Sequence, residues 1–152
     1  MSTLRNIIVL AILLIIVLLS LTTSSQTLTF PVDGKSMNNI TSSFGPRNVG
    51  PYGSDYPNAN YDYDFHCAID IGASQYTDVY AVWDGTVVDV GSDYVTIEHD
   101  DSEGNWWVKY QHIVPTVERY EEVDSGEKIG DINNENHLDI RHYYSSLRGC
   151  TP

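Results

Sequence analysis

Residues 86–99, TVVDVGSDYVTIEH, encode two short β-strands and the turn between them. Apolar and polar side chains alternate through Tyr94–His99 and, apart from the adjacent Val87 and Val88, through Thr86–Val90, as in strands that bury one face. Gly91-Ser92-Asp93 separates the two runs and consists of residues that favour turns. This stretch therefore predicts two β-strands joined by a turn.

The same pattern of short strands and turns recurs on both sides. Further strands are predicted at Ile40–Phe44, His66–Asp70, Val79–Val82, Trp106–His112, Lys128–Ile132 and His137–Tyr143. The turn residues between them are Gly45-Pro46, Trp83-Asp84-Gly85, Asp100–Asn105, Ser125-Gly126 and Asn133–Asn136, and Asn48–Asp64 is expected to be a long loop. Short strands at regular spacing predict an all-β domain.

The first 25 residues have the composition of a leader. Ile7–Leu19 is an unbroken apolar run, preceded by Arg5 and followed by small polar residues. This pattern is typical of a secretory signal with Ser25 as a cleavage position. Extended to residues 7–23, it could equally be a retained membrane anchor. Both alternatives place the remaining chain outside the cytoplasm, secreted or membrane-anchored.

The sequence thus divides into a leader (1–25), a polar connector (26–39) and one domain (40–152). The chain has 8 Lys and Arg against 21 Asp and Glu, a formal net charge of −13. Such a charge repels phosphate backbones and anionic lipids, so we expect no nucleic-acid partner. Divalent metals or cationic ligands fit it better. The sequence does not indicate an oligomeric state.

Cys67 and Cys150 fit an exported location, where disulfides persist. A bond between them would tie the C-terminal tail to the central strand. The alternative is one buried and one exposed thiol. Because side chains alternate along a strand, Cys67 is expected to face away from His66 and not to bind metal.

A possible metal site begins at His66 and Asp70. They lie four residues apart on a predicted strand, so both should face the same side. An imidazole and a carboxylate are a partial ligand set for zinc or another transition metal. Tyr110-Gln111-His112 and His137-Leu138-Asp139 could complete it, and Arg141 shares a strand face with His137 and Asp139.

Several motifs, in this order, resemble the lysostaphin/LytM-like zinc metallopeptidases. They are the opening strand Ile40–Arg47, His66-x-x-x-Asp70, Val79–Val88, the pair Tyr94–His99 and Lys109–His112, Val123–Gly130, and His137-x-Asp139. The resemblance runs from about Ile40 to Arg141. It implies a curved antiparallel β-sheet with a groove, of the duplicated-hybrid-motif type, preceded here by the hydrophobic N-terminal helix.

The resemblance also implies zinc in the groove and hydrolysis of peptide bonds in bacterial cell-wall peptidoglycan. Matched by position, His66, Asp70 and Asp139 would be metal ligands. His112 and His137 would be catalytic, orienting the attacking water and stabilising the oxyanion. His99 would make a structural hydrogen bond. His142, out of phase with the site, should face away.

One position departs from the family pattern, because Asp139 stands where the family has histidine. Zinc accepts a carboxylate oxygen, so a His/Asp/Asp set is chemically allowed. It should hold zinc less tightly and tolerate calcium or manganese better. Asp139 is therefore either a ligand swap in a working enzyme or the mark of a decayed site.

Three functions stay open from the sequence. The first is an exported zinc metalloendopeptidase. The second is a catalytically degenerate domain with a binding, structural or assembly role at a cell or particle surface. The third is a calcium-loaded structural domain, since alternating Asn58, Asn60, Asp62 and Asp64 resemble the start of a calcium loop. That loop lacks the glycine and the distal glutamate, and a solvated acidic loop is its alternative reading.

Overall fold

The computed structural model describes residues 27–48, 63–101 and 104–143. In these ranges the one helical element is a 3₁₀ turn, Met37–Asn39, and no helix is long and apolar enough to cross a bilayer. The strands are β1 (Ile40–Ser42), β2 (Gly45–Asn48), β3 (Tyr63–His66), β4 (Ile69–Gly72), β5 (Asp78–Tyr80), β6 (Gly85–Val90), β7 (Tyr94–Asp101), β8 (Gly104–Gln111), β9 (Ile113–Pro115), β10 (Glu122–Val123), β11 (Lys128–Ile132) and β12 (His137–Tyr143).

The strands form three antiparallel sheets. Seven strands make the large sheet in the order β1-β4-β12-β8-β7-β6-β10, three make a second sheet in the order β5-β11-β9, and β2 pairs with β3. Every pairing between these strands is antiparallel. The predicted all-β, antiparallel fold is confirmed.

One face of the large sheet packs against the three-stranded sheet. Because side chains alternate along a strand, Val95 and Ile97 of β7 lie in the core whereas Tyr94 and Glu98 point to the other face. The core is completed from both sheets by Val79, Val87, Val108, Tyr110, Ile113, Ile129, Ile132 and Leu138. The opposite face of the large sheet is polar and includes Glu98, Lys109 and Arg141.

The chain breaks where a continuous strand was expected. The prediction of one strand over His66–Asp70 is wrong, since β3 ends at His66 and β4 begins at Ile69. The two strands belong to different sheets, and the chain passes between them at Cys67 and the buried Ala68. The break still leaves His66 facing Asp70.

The first strand ends before Gly45-Pro46 as predicted, since β1 ends at Ser42, but the prediction that these two residues form a turn is wrong, because both lie in β2. β2 has a single neighbour, β3, so Pro46 interrupts no central ladder. Gly45 has a φ of +124°, which a residue with a Cβ rarely adopts.

Residues before β1 pack along the second sheet. Val32 is 2% exposed, bridges to Val79 and belongs to the core. Backbone hydrogen bonds join Thr29 N to Val82 O at 3.0 Å and Tyr80 N to Pro31 O at 2.9 Å. This segment covers the outer edge of β5, which the sheet otherwise leaves open.

Three predictions concern residues outside the described ranges. They are the hydrophobic leader at residues 1–25, the pairing of Cys67 with Cys150, and the acidic loop at Asn58, Asn60 and Asp62. They stay predictions.

Tyr110 supplies a test of how the two sheets are joined. It is fully buried on β8, and its hydroxyl oxygen accepts a hydrogen bond from Val82 N at 3.0 Å. Tyr110→Phe removes that acceptor from a buried N–H, so we expect the free energy of unfolding to fall by about 1–3 kcal/mol in denaturant titrations. Tyr80→Phe, at a half-buried hydroxyl 3.4 Å from Asp78, should change it by less than about 0.5 kcal/mol. Equal losses would contradict this account.

Candidate metal centre and active site

His66 lies at the end of β3 with its two ring nitrogens in different surroundings. Its Nδ1 lies 3.3 Å from the carbonyl oxygen of Ser43 and 3.1 Å from Ser42 Oγ. A carbonyl only accepts hydrogen bonds, so Nδ1 carries the proton and donates it to Ser43. Nε2 is then the basic nitrogen. Backbone contacts of this kind fix the tautomer of metal-binding histidines.

Two carboxylates converge on that nitrogen. Asp70 of β4 and Asp139 of β12 are direct partners across the antiparallel ladder. Asp70 Oδ1 lies 3.2 Å and Asp139 Oδ2 lies 3.9 Å from His66 Nε2. The side chains of His66, Asp70 and Asp139 are 7%, 13% and 6% exposed. The structure thus brings together the three residues predicted to bind metal, with one ligand atom from each inside a span of 4.8 Å.

These atoms fit a small divalent cation. Donors placed tetrahedrally about 2.1 Å from a zinc ion lie about 3.4 Å from one another, and the two separations from His66 Nε2, 3.2 and 3.9 Å, bracket that value. A nitrogen lone pair facing carboxylate oxygens at this distance is stabilised by either a proton or a metal cation between them. One nitrogen and two carboxylate oxygens are acceptable to zinc and leave a further coordination position open.

Arg141 contacts this cluster in a way that sequence reasoning missed. Its Nε donates to Asp139 Oδ1 at 2.9 Å and its Nη2 donates to Asp139 Oδ2 at 3.0 Å. This two-point hydrogen bond holds the pKa of Arg141 above its usual value. It also neutralises the carboxylate that would bind metal, and it engages the oxygen that faces His66. The spacing of two residues on one strand was the available signal, because it places both side chains on one face.

His112 and His137 lie together beside the cluster. Their ring centroids are 4.6 Å apart, with the rings inclined at 55°. His137 Nδ1 lies 2.9 Å from Glu135 O and donates to it, which leaves Nε2 basic and 3.9 Å from Asp70 Oδ1. His112 follows β8 with a φ of +67°. Both predicted catalytic histidines are partly exposed, so a substrate could reach them.

The family model of peptidase family M23 matches residues 64–148, more than half of the chain. The chain belongs to peptidase family M23. The matched residues contain all five predicted site residues. No curated protein matches the chain in sequence.

Solved structures share the fold of this M23 domain. A zinc containing peptidase from Vibrio cholerae is 20% identical with a TM-score of 0.59, and the match covers 84% of this chain and 41% of that one. Csd3 from Helicobacter pylori is 22% identical with a TM-score of 0.55, covering 83% and 33%. The catalytic domain of EnpA, a prophage-encoded M23 protein from Enterococcus faecalis, is 21% identical with a TM-score of 0.55, covering 83% and 92%. The chain therefore spans only about a third to two fifths of the first two proteins.

The other two histidines of the M23 domain lie away from the cluster, as expected. His99 is fully buried, its Nδ1 lies 2.9 Å from Asp84 O, and its ring lies 4.3 Å from that of Trp106. Burial lowers the pKa of His99. His142 lies on the opposite face of β12, with its ring 5.3 Å from that of Trp106.

The contact between Arg141 and Asp139 predicts how metal affinity responds to mutation. A guanidinium on the ligand carboxylate draws charge from it and repels a dication, so Arg141→Gln should tighten zinc binding by about tenfold. Competition with a chelating dye measures this without any enzymatic activity. Lys128→Gln is the matched control, because Lys128 pairs with Asp78 and Asp131 elsewhere. Weaker zinc binding in Arg141→Gln would show instead that Arg141 positions the ligand.

Proposed function

We propose that this chain is an exported zinc metalloendopeptidase that hydrolyses peptide bonds of the kind found in cell-wall peptidoglycan. The observation that carries the proposal is the convergence of one imidazole nitrogen and two carboxylates from three strands, with two more imidazoles beside them. Membership of family M23 supports the peptidase class. A structural neighbour described as a zinc containing peptidase supports the choice of metal over calcium or manganese.

In this proposal His66, Asp70 and Asp139 hold the ion. When bound, zinc would supply Lewis-acid chemistry and lower the pKa of a water molecule at the site. The two carboxylates make the site more anionic than the family's usual ligand set, so zinc is held weakly. The low exposure of all three ligands keeps bulk water from competing.

The two remaining imidazoles divide the proton chemistry. His137 donates from Nδ1 to Glu135, so its Nε2 is the basic atom and can accept a proton from the attacking water. His112 is inclined to it by 55° and can donate a hydrogen bond to the oxygen on which negative charge develops. The carboxylate contact of His137, from Nε2 to Asp70 Oδ1, is long at 3.9 Å, so this nitrogen remains able to change partners.

The leader and the location belong to the same proposal. Residues 1–25 would direct export, as a cleaved signal or as an anchor through residues 7–23, and residues 40–152 would form the peptidase domain. Lysostaphin from Staphylococcus simulans, whose catalytic domain is 20% identical with a TM-score of 0.50, is described as an antimicrobial peptidase. An extracytoplasmic location is consistent with activity on a cell wall.

A second function is favoured by one specific observation. Arg141 already occupies both oxygens of Asp139, and an internal cation can replace the charge of a lost metal. The alternative is therefore a catalytically degenerate M23 domain with a binding, structural or assembly role at a cell or particle surface. The two functions differ in metal content and in hydrolysis.

Metal analysis separates the two functions first. The purified chain, supplied with zinc and freed of excess, should contain about one zinc per chain by elemental mass spectrometry. His66→Ala should lose it, because only two carboxylates remain, whereas His142→Asn on the opposite face should keep it. Asp139→His, which restores the family residue, should bind more tightly. A wild-type chain that takes up no zinc would support the degenerate alternative.

Hydrolysis tests the roles of His112 and His137, the two rim histidines beside the metal cluster. His112→Asn and His137→Asn should each lower the rate of peptide release from purified peptidoglycan by about 100-fold while zinc content stays unchanged. Asparagine tolerates the left-handed backbone of His112, so the substitution removes the imidazole with little backbone strain. His142→Asn should retain the wild-type rate. Unchanged rates in both rim variants would exclude these roles.

A further inference from the structure

A cavity of about 470 Å³ lies on the polar face of the large sheet. Arg141 connects it to the metal centre, because its side chain both lines the cavity and binds Asp139. Three of the eight Lys and Arg residues of this acidic chain line it, namely Lys109, Arg119 and Arg141. Positive charge is therefore concentrated at one place beside the site.

Lys109 makes no close ion pair in the described part of the chain. Its Nζ lies 4.2 Å from the centre of the Tyr94 ring, and no described carboxylate lies within 4.0 Å of it. Lys109 and Arg141 face each other across β8 and β12. Partial burial and the neighbouring Arg141 lower the pKa of Lys109, whereas the more distant carboxylates of Asp93, Asp139 and Asp89 raise it, and the net shift is downward.

Arg119 also makes no ion pair in the described part of the chain. Its Nε donates to the carbonyl of Val88 at 2.8 Å and its guanidinium lies 5.0 Å from the Tyr120 ring. These contacts orient the side chain without supplying a negative charge, and no described carboxylate pairs with it. A guanidinium held by one nitrogen can present its other donors to a planar anion.

The acidic side chains in the cavity already accept hydrogen bonds from neutral groups. Asp89 accepts one from Tyr94 Oη at 3.1 Å, and Glu98 accepts one from Asn105. Aromatic side chains make up much of the remaining wall, namely Tyr94, Trp107, Tyr120 and Tyr143. Lys109 and Arg119 therefore line one cavity whose acidic groups are already hydrogen-bonded, and an anion bound there could form charge-assisted hydrogen bonds with both.

We propose that this cavity binds a carboxylate group of the substrate, with Lys109 and Arg119 as its anchors. This inference rests on the proposed function, since it names a feature of the peptide bound there. Lys109 lies opposite Arg141 in the β8–β12 ladder, and Arg141 is two residues along β12 from Asp139. Two residues of a strand span about 7 Å, which is therefore the distance along the sheet from Asp139 to the level of Lys109. The carboxylate would therefore lie roughly two residues from the scissile bond of an extended peptide.

Peptide binding tests the proposal independently of hydrolysis. The probes are tetra-alanine with a free C-terminal carboxylate, the same peptide as an amide, and two amidated peptides that carry Glu or Gln at the third position. Affinities are measured by calorimetry on the full chain kept zinc-free with chelator. We expect the carboxylate member of at least one pair to bind at least about tenfold more tightly. The pair that discriminates identifies a terminal or a side-chain carboxylate as the source.

Variants assign the effect to this cavity. Lys109→Gln and Arg119→Gln should each reduce the preference for the carboxylate member, and the double variant should abolish it. Lys128→Gln, outside the cavity, should retain it. Equal binding within both pairs, or a preference that survives the double variant, would overturn the proposal. A preference without any hydrolysis would refute only the proposed function, whereas hydrolysis of peptidoglycan without a preference would refute only the carboxylate site.

Discussion

The register of β12 between its two neighbours is the constraint on which the site depends. Asp139 pairs with Asp70 on one side and with Gln111 on the other, so the ladder places both carboxylates on the polar face. A slip of one residue would turn Asp139 into the core and bring buried Leu138 to the surface. The apolar alternation of β12 thus selects the register, and the register assembles the cluster. Core packing and site geometry are fixed by the same choice.

Much of this architecture follows from side-chain alternation alone. The strands Lys128–Ile132 and His137–Tyr143 are found where the sequence predicts them. Alternation explains the buried Leu138 in the second strand, whereas Ile129 and Ile132 of the first are both buried because its register shifts between Lys128 and Gly130. The break after His66 could not be predicted in this way. An apolar run through Ala68 reads as a continuous strand, whereas the change of sheet depends on β2, a distant partner in the sequence. Pairings between remote segments are decided by the whole fold.

In the candidate site too, local motifs predicted some features, whereas others depend on contacts between distant segments. The three proposed metal ligands and the two proposed catalytic histidines could be listed from motifs, since each motif carries its chemistry locally. The hydrogen bonds between Arg141 and Asp139 could not, because alternation gives a shared face without saying which charges meet there. The cavity lined by Lys109, Arg119 and Arg141 was not predicted from the sequence for a related reason. A net charge of −13 describes the whole chain, but the field in a groove depends on the few charges that line it.

The carboxylate of Asp139 is both a proposed metal ligand and the hydrogen-bond partner of Arg141. These two roles require different charge environments. A metal ligand is most effective when its negative charge is undivided, whereas a buried carboxylate without metal needs a cation nearby. Arg141 satisfies the second demand at the expense of the first, so the fold tolerates loss of the ion better than a cluster with an unpaired acid would. If His66, Asp70 and Asp139 hold zinc as proposed, a site built in this way would take up and release the ion without unfolding. The same contact also holds Arg141 at Asp139, which leaves Lys109 and Arg119 as the two cations that the proposed carboxylate site would use.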